Sequence, residues 1–250
     1  MNNNLTFQGV FPVLPTVFHG NGEIDESGLE SVLEYVIACG ADGVVFPGLA
    51  SEYDHLSDEE RVHLVSLLGK LINNRVPFIV GASSPDSEKV VDFAKQGSDS
   101  GACASMILTP AKLANDPDGL KEFFTKVGRE SGIPIMMQNA PKPMGIALSI
   151  EAIQDIANDV DAIKYVKEET PPCGQRITAL RERSGDALIG IYGGAGGRYV
   201  IDEFNRGALG TLPATEVTEI HVQMFKAHST GNFDLARDLF DRALPLLNMQ

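Results

Sequence analysis

The chain is short of positive charge and of cysteine, and it has no apolar run long enough to cross a bilayer. Its 250 residues include 20 Lys and Arg against 34 Asp and Glu, a net charge of −14. Nucleic acid and anionic membrane both need a basic patch, so neither is expected as a partner. The same charge means that an anionic substrate must be held by local donors against an unfavourable field. Met1-Asn2-Asn3-Asn4 lacks the basic and apolar regions of a signal peptide, which makes the cytoplasm the expected compartment. Cys39, Cys103 and Cys173 are odd in number, scattered and without metal-ligand spacing, and read as buried thiols in a reducing compartment. His19, His55, His63, His221 and His228 form no HExxH or comparable pair, so no zinc site is expected.

What is present is a soluble globular composition, 43% hydrophobic with a mean hydropathy of −0.02. Apolar runs of strand length alternate with amphipathic segments of helix length. Strands are expected over 9–18, 43–48, 76–81, 105–110, 134–139, 162–170, 187–193 and 210–214. Helices are expected over 25–39, from Ser57, then over 87–98, 118–130, 149–158, 175–183, 199–206 and 217–228, with a further helix over 234–244 ahead of Pro245. Ser57 and Glu60 form a capping box and Ser149 is a second N-cap. Eight consecutive strand–helix units with continuously apolar strands imply a parallel sheet closed into a (β/α)8 TIM barrel. A doubly wound open sheet fits less well, because no domain break interrupts the eight units. The expected organisation is a barrel over 1–230 and a C-terminal helix over 231–250 packed on it, a single domain overall.

The segment Ala162–Thr170 carries the most chemistry. On a strand, Ile163, Tyr165, Lys167 and Glu169 share one face and Lys164, Val166 and Glu168 the other. Lys167 and Glu169 then stand side by side at the C-terminal end of the sixth strand, where barrel active sites lie. Facing inward, Lys167 would be partly desolvated, which lowers the pKa of an amine nucleophile. Glu169 would be the carboxyl that moves protons beside it. An edge strand with solvated charges is the plainer alternative.

Other rim segments are candidates for substrate binding. Leu49, Ala50 and Ser51 form a turn after the second strand whose N–H groups, with the Ser51 hydroxyl, could cradle a carboxylate. The alternative is an ordinary strand–helix turn. Glu52 and Tyr53 could line the same mouth. Gln138 and Asn139 end the fifth strand and could meet substrate hydroxyls, although Asn139 could equally bridge strands. Gly193-Gly194-Ala195-Gly196-Gly197-Arg198 follows the seventh strand and suits either a phosphate or hydroxyl-rich tail or a tight turn; it lacks dinucleotide-site order. Tyr165 and Tyr192 fit the barrel interior as packing, and Lys164 is expected against the helices.

Several of these segments together resemble the dihydrodipicolinate synthase and N-acetylneuraminate lyase family of Schiff-base barrels. Lys167 in Val166-Lys167-Glu168 falls on the family's Schiff-base lysine. Gly48-Leu49-Ala50-Ser51-Glu52 and Leu56-Ser57-Asp58-Glu59-Glu60-Arg61 fall on its Gly-Thr-Thr-Gly-Glu and Leu-Ser-x-Glu-Glu-Arg stretches. Asn139-Ala140-Pro141 falls on Tyr-Asn-x-Pro, and Gly207-Ala208-Leu209-Gly210 on Gly-Ala-x-Gly. The departures are Gln138 for the proton-exchanging tyrosine, Leu49 and Ala50 for the paired threonines, Ala111-Lys112 for a tyrosine pair, and Pro143 for the synthase's arginine. Glutamine has no titratable proton and Leu and Ala no hydroxyl, so dihydrodipicolinate synthesis by the usual route is not expected.

The resemblance is closest to a subgroup with Ser-Glu after strand two, Lys-Glu-Glu on strand six and a glycine-rich turn after strand seven, which is associated with 2-keto-3-deoxy sugar acid dehydratases, L-2-keto-3-deoxyarabonate dehydratase in particular. It implies a lyase that needs no cofactor beyond a covalent Schiff base at Lys167, a small 2-oxo acid as substrate, and a homotetramer. A pyruvate-releasing aldolase, a deaminase acting on a cyclic imino acid, and a catalytically dead barrel kept as a binding module are the other readings. Family members carry further helices after the eighth, so the end of the chain at Gln250 leaves open whether the barrel wall is complete.

Overall fold

A computed structural model describes residues 7–249. Met1–Asn4, which the signal-peptide argument rests on, and Gln250 lie outside the described residues. Eight parallel strands alternate with helices, as the patterning implies. They are β1 (Gly9–Val10), α1 (Glu26–Ala38), β2 (Val44–Phe46), α2 (Asp58–Ile72), β3 (Phe78–Gly81), α3 (Ser87–Asp99), β4 (Ala104–Leu108), α4 (Pro117–Ser131), β5 (Ile135–Asn139), α5 (Ile150–Asp159), β6 (Ile163–Glu168), α6 (Cys173–Ser184), β7 (Gly190–Gly193), α7 (Val200–Asn205), β8 (Gly210–Thr211), α8 (Thr218–Ser229) and α9 (Phe233–Leu247). The sheet order is β1-β8-β7-β6-β5-β4-β3-β2. Parallel bridges from Val13 to both Val45 and Ala214 close the ring, so the chain is a TIM barrel.

Closure at Val13 explains why β1 is so short. Pro12 and Pro15 have no N–H to give a ladder, and the expected ten-residue strand reduces to two paired residues and isolated bridges at Val13 and Phe18. The opposite correction applies at the C-terminus, where α9 runs through Pro245 instead of stopping before it. Proline there removes a single helical hydrogen bond near the end, and the buried side chains of Ala243 and Leu247 hold the last turn in place. The two helix starts read from the sequence are as expected: Glu60 N–H donates to Ser57 Oγ at 3.2 Å, and Ala152 N–H to Ser149 Oγ at 3.1 Å. Of the three thiols, Cys173 is buried, but Cys39 and Cys103 are only partly so.

Inside the ring, Phe7, Phe11, Tyr165 and Tyr192 stack with Met106 and Met136 into a plug. Phe7 and Tyr165 lie 5.1 Å apart between ring centroids, and the Tyr192 hydroxyl donates to the Phe7 carbonyl at 2.6 Å. A second set of apolar side chains, Ile163, Val166, Met137 and Ile191 among them, packs outward against the helices. Strict alternation put Ile163 and Tyr165 on one face, and here it fails. Ile135 pairs with Ile163 but Met136 pairs with Tyr165, so Lys164 is an extra, bulged residue. A bulge lets two residues oppose one and resets the facing pattern. Ile163 therefore turns outward while Tyr165 and Lys167 turn inward. Lys164 is left partly exposed and pairs with Asp161 at 2.6 Å.

Candidate active site

β6 is long enough, and its alternation after the bulge regular enough, to deliver Lys167 to the interior at the C-terminal rim. The residue is only 5% exposed. Its Nζ lies 3.3 Å from Glu169 Oε1. The Glu169 carboxylate is held at both oxygens: Oε1 also accepts the Ala195 N–H at 2.9 Å, and Oε2 accepts the Gln138 amide at 2.7 Å. The structure thus brings together three residues the sequence singled out, Lys167, Glu169 and Gln138, and adds the Ala195 N–H.

Burial pushes the Glu169 carboxyl upward. The Lys167 charge, the Ala195 N–H and the Gln138 amide together outweigh that and hold it below the ordinary carboxylate range. At rest Glu169 is a base, not an acid. Gln138 serves here as an orienting donor for Glu169.

Room for the pair comes from Gly194. A Cβ there would stand 2.4 Å from Glu169 Oε1 and 2.5 Å from Lys167 Cε. Gly193 points the other way. Its Cβ would collide with Glu203 Oε2 at 1.8 Å, so it does not face the mouth as a substrate-binding residue would. Gly197, at φ +78°, sits over His221, whose Nε2 would be 2.3 Å from a Cβ. Gly194 and Gly197 are thereby accounted for by close approach to side chains and Gly196 by its φ of +66°, and the N–H of Ala195 in that turn is spent on Glu169.

Asn139 is a strand bridge. It faces outward, 1% exposed, and its Nδ2 donates to Glu168 at 2.9 and 3.0 Å. Its Oδ1 accepts the Leu148 N–H at 2.8 Å. Glu168 is fully buried and also takes the Arg176 guanidinium at 3.1 Å and the Thr170 N–H at 2.7 Å. Burial raises its carboxyl more than these partners lower it.

Leu49, Ala50 and Ser51 form a single 3-10 turn after β2. Ser51 is fully buried: its hydroxyl donates to the Leu14 carbonyl and accepts the Gly48 N–H, and its own N–H donates to Gly48. It has no donor left for a carboxylate, which corrects that part of the cradle. The N–H groups of Leu49 and Ala50 open the turn, where helical geometry supplies no internal acceptor. Beyond them, a cavity of about 260 Å³ at the same end of the strands is lined by Tyr53, Ser84, Thr109, Lys112, Pro143 and Met144. Lys112 and Pro143, two of the positions that depart from the family pattern, meet in this cavity.

Sequence reasoning missed Glu203 and His221. Each is an ordinary polar residue in an amphipathic helix pattern, and burial is invisible there. The sole trace was the excess of glycine in the turn that lies over them.

Comparison with known proteins identifies the family and the fold. The family model described as the dihydrodipicolinate synthetase family matches residues 6–250. A 4-hydroxy-tetrahydrodipicolinate synthase of Maridesulfovibrio salexigens is 33% identical over 244 residues, covering 97% of this chain and 82% of that protein. An L-2-keto-3-deoxyarabonate dehydratase of Azospirillum brasilense is 28% identical over 244 residues, covering 96% of this chain and 79% of that one. The crystal structure of a dihydrodipicolinate synthase from Rhodopseudomonas palustris superposes with a TM-score of 0.87 at 27% identity, covering 96% and 81% of the two chains. The chain belongs to the dihydrodipicolinate synthetase family.

Proposed function

We propose that this member of the dihydrodipicolinate synthetase family is a Schiff-base lyase acting on a 2-oxo acid, with dehydration of a 2-keto-3-deoxy sugar acid such as L-2-keto-3-deoxyarabonate as its reaction. One observation carries the reading: an inward lysine at the end of β6 is paired at 3.3 Å with a carboxylate fixed by two further donors. Glu169 takes the proton of the Lys167 ammonium, and the amine adds to the C2 ketone, losing water to give the protonated imine. That cation acidifies C3. Glu169, again a carboxylate, removes the C3 proton to give an enamine, and its new proton goes to the departing C4 hydroxyl, which leaves as water. Hydrolysis of the imine returns Lys167, and the arabonate product tautomerises to a 2,5-dioxo acid. The chemistry calls for no separate cofactor.

The departures from the family pattern support dehydration over dihydrodipicolinate synthesis. Gln138 has no proton to exchange, and Leu49 and Ala50 have no hydroxyl to pass one. An ionised Glu169 is also suited to take the C4 hydroxyl proton instead, which would break the C3–C4 bond and release pyruvate; the aldolase is therefore the second reading. Borohydride reduction with a panel of 2-keto-3-deoxy acids, followed by mass measurement of the peptide containing Lys167, tests the imine. Parallel assays of dioxo acid, pyruvate and ammonia separate dehydratase, aldolase and deaminase. A barrel serving solely to bind would take up ligand without forming the reduced adduct.

A further inference from the structure

β7 ends at the rim on Gly193 and is followed directly by Gly194, and successive extended positions face opposite sides. On the inner side, the place of a Gly194 Cβ is taken by Glu169 and Lys167; on the outer side, the place of a Gly193 Cβ is taken by the carboxyl of Glu203. One bare backbone separates the reactive pair from a second carboxyl. Glu203 is fully buried, and neither of its oxygens has a hydrogen-bond partner among the described residues. Thr211, the register partner of Gly193, likewise has an unpartnered buried hydroxyl.

The charges around Glu203 are mostly of its own sign. Glu168 and Glu169 face it from the end of β6, Asp202 from its own helix, and the Cys173 thiol from the start of α6. Lys167 faces it as well, but is paired with Glu169; Arg176 and Arg206 are spent on Glu168 and Asp202. Burial, then the charges of Glu169, Asp202 and Glu168, push the Glu203 carboxyl up to about 8.

We propose that Glu203 is a positioning residue that must stay a neutral acid, and that its ionisation, felt across the bare Gly193–Gly194 backbone, switches off the Lys167–Glu169 pair. The inference rests on Lys167 being the Schiff-base lysine. Freeing the amine from its ammonium removes positive charge at Nζ, and so does turning the protonated imine into an enamine. A carboxylate one backbone away favours the positive partner in both steps and opposes both. At the effective dielectric of a protein interior, a unit charge at that range slows such steps roughly ten-fold or more.

The test compares the wild type with Glu203→Gln, whose carboxamide keeps the shape but cannot ionise. Pyruvate is the probe, with borohydride trapping to read the imine and deuterium exchange at its methyl group to read proton transfer, both from about pH 6 to about pH 10. In the wild type the exchange rate should fall through an alkaline limb near pH 8; in Glu203→Gln, each profile scaled to its own maximum, that limb should move up by about one pH unit or more. Coincident limbs in the two proteins overturn the proposal. Absence of any wild-type adduct at Lys167 overturns the Schiff-base reading instead. Infrared difference spectra of the wild type between about pH 6 and about pH 9 give a check independent of the variant's folding: the carbonyl band of a protonated carboxylic acid must disappear on the alkaline side, and a spectrum without that loss also overturns the proposal.

Discussion

The side-chain amide of Gln138 donates to Glu169 Oε2 at 2.7 Å. A residue with no titratable proton thus stands where the family pattern has a tyrosine, and it fixes the orientation of the Glu169 carboxylate with no proton of its own to exchange. Glu169 is left as the titratable partner of Lys167 within that contact.

The first expectation concerns Lys167. Reduction with borohydride in the presence of a 2-oxo acid should attach the acid to Lys167, and Lys167→Ala should abolish both the adduct and turnover. Peptide mass measurement reads the site, and an adduct on Lys164 or Lys112 instead would refute the assignment.

Glu169→Gln should separate the two halves of the chemistry. Loss of a positioned acid–base group lowers a proton-transfer step by roughly 10²–10⁴-fold, so imine formation should slow yet still give trapped adduct after incubation to equilibrium, while exchange at C3 from that adduct collapses. The acid limb of the wild type should lie below the ordinary carboxylate value of 4.5, because the folded protein keeps Glu169 ionised. An equilibrium yield of adduct that falls in parallel with exchange would show that Glu169 serves binding alone.

Gly193, the last residue of β7, and Gly194 just after it predict opposite outcomes. Gly194→Ala places a methyl against Lys167 and Glu169, so activity should fall with a small change in melting temperature. Gly193→Ala drives a methyl into the Glu203 carboxyl and should cost about 1–3 kcal/mol of stability, as overpacking does. Glu203→Ala added to Gly193→Ala should recover part of that loss, a coupling that a double-mutant cycle measures.

Stability should be bounded on both sides of neutrality by two buried groups. The folded chain holds the Glu203 proton up to about pH 8 whereas the unfolded chain releases it near 4.5, so stability falls as pH rises through that window and is level beyond it. Burial lowers His221 to about 4 from 6.5, so the unfolded chain gains a proton first and stability is lost as pH falls through that window. Each contribution is on the order of a few kcal/mol. Glu203→Gln should raise the melting temperature more at pH 8 than at pH 5, and an equal rise at both would show that Glu203 does not titrate there.

The succession of apolar strands and amphipathic helices was enough to define an eight-unit barrel, because a parallel sheet must bury both faces and each crossover helix must cover one. It also placed Lys167 and Glu169 at a strand end on a common side, since alternation is a local property of extended backbone. Which side Ile163 took was decided by a bulge at Lys164, which depends on pairing with β5 and leaves no local mark. Tertiary structure alone decided that Glu169 is ionised, that Asn139 and Ser51 serve the scaffold, and that Glu203 lies behind Gly193. Charge state and burial depend on groups brought together from distant parts of the chain, and no pattern along one segment encodes who those neighbours are.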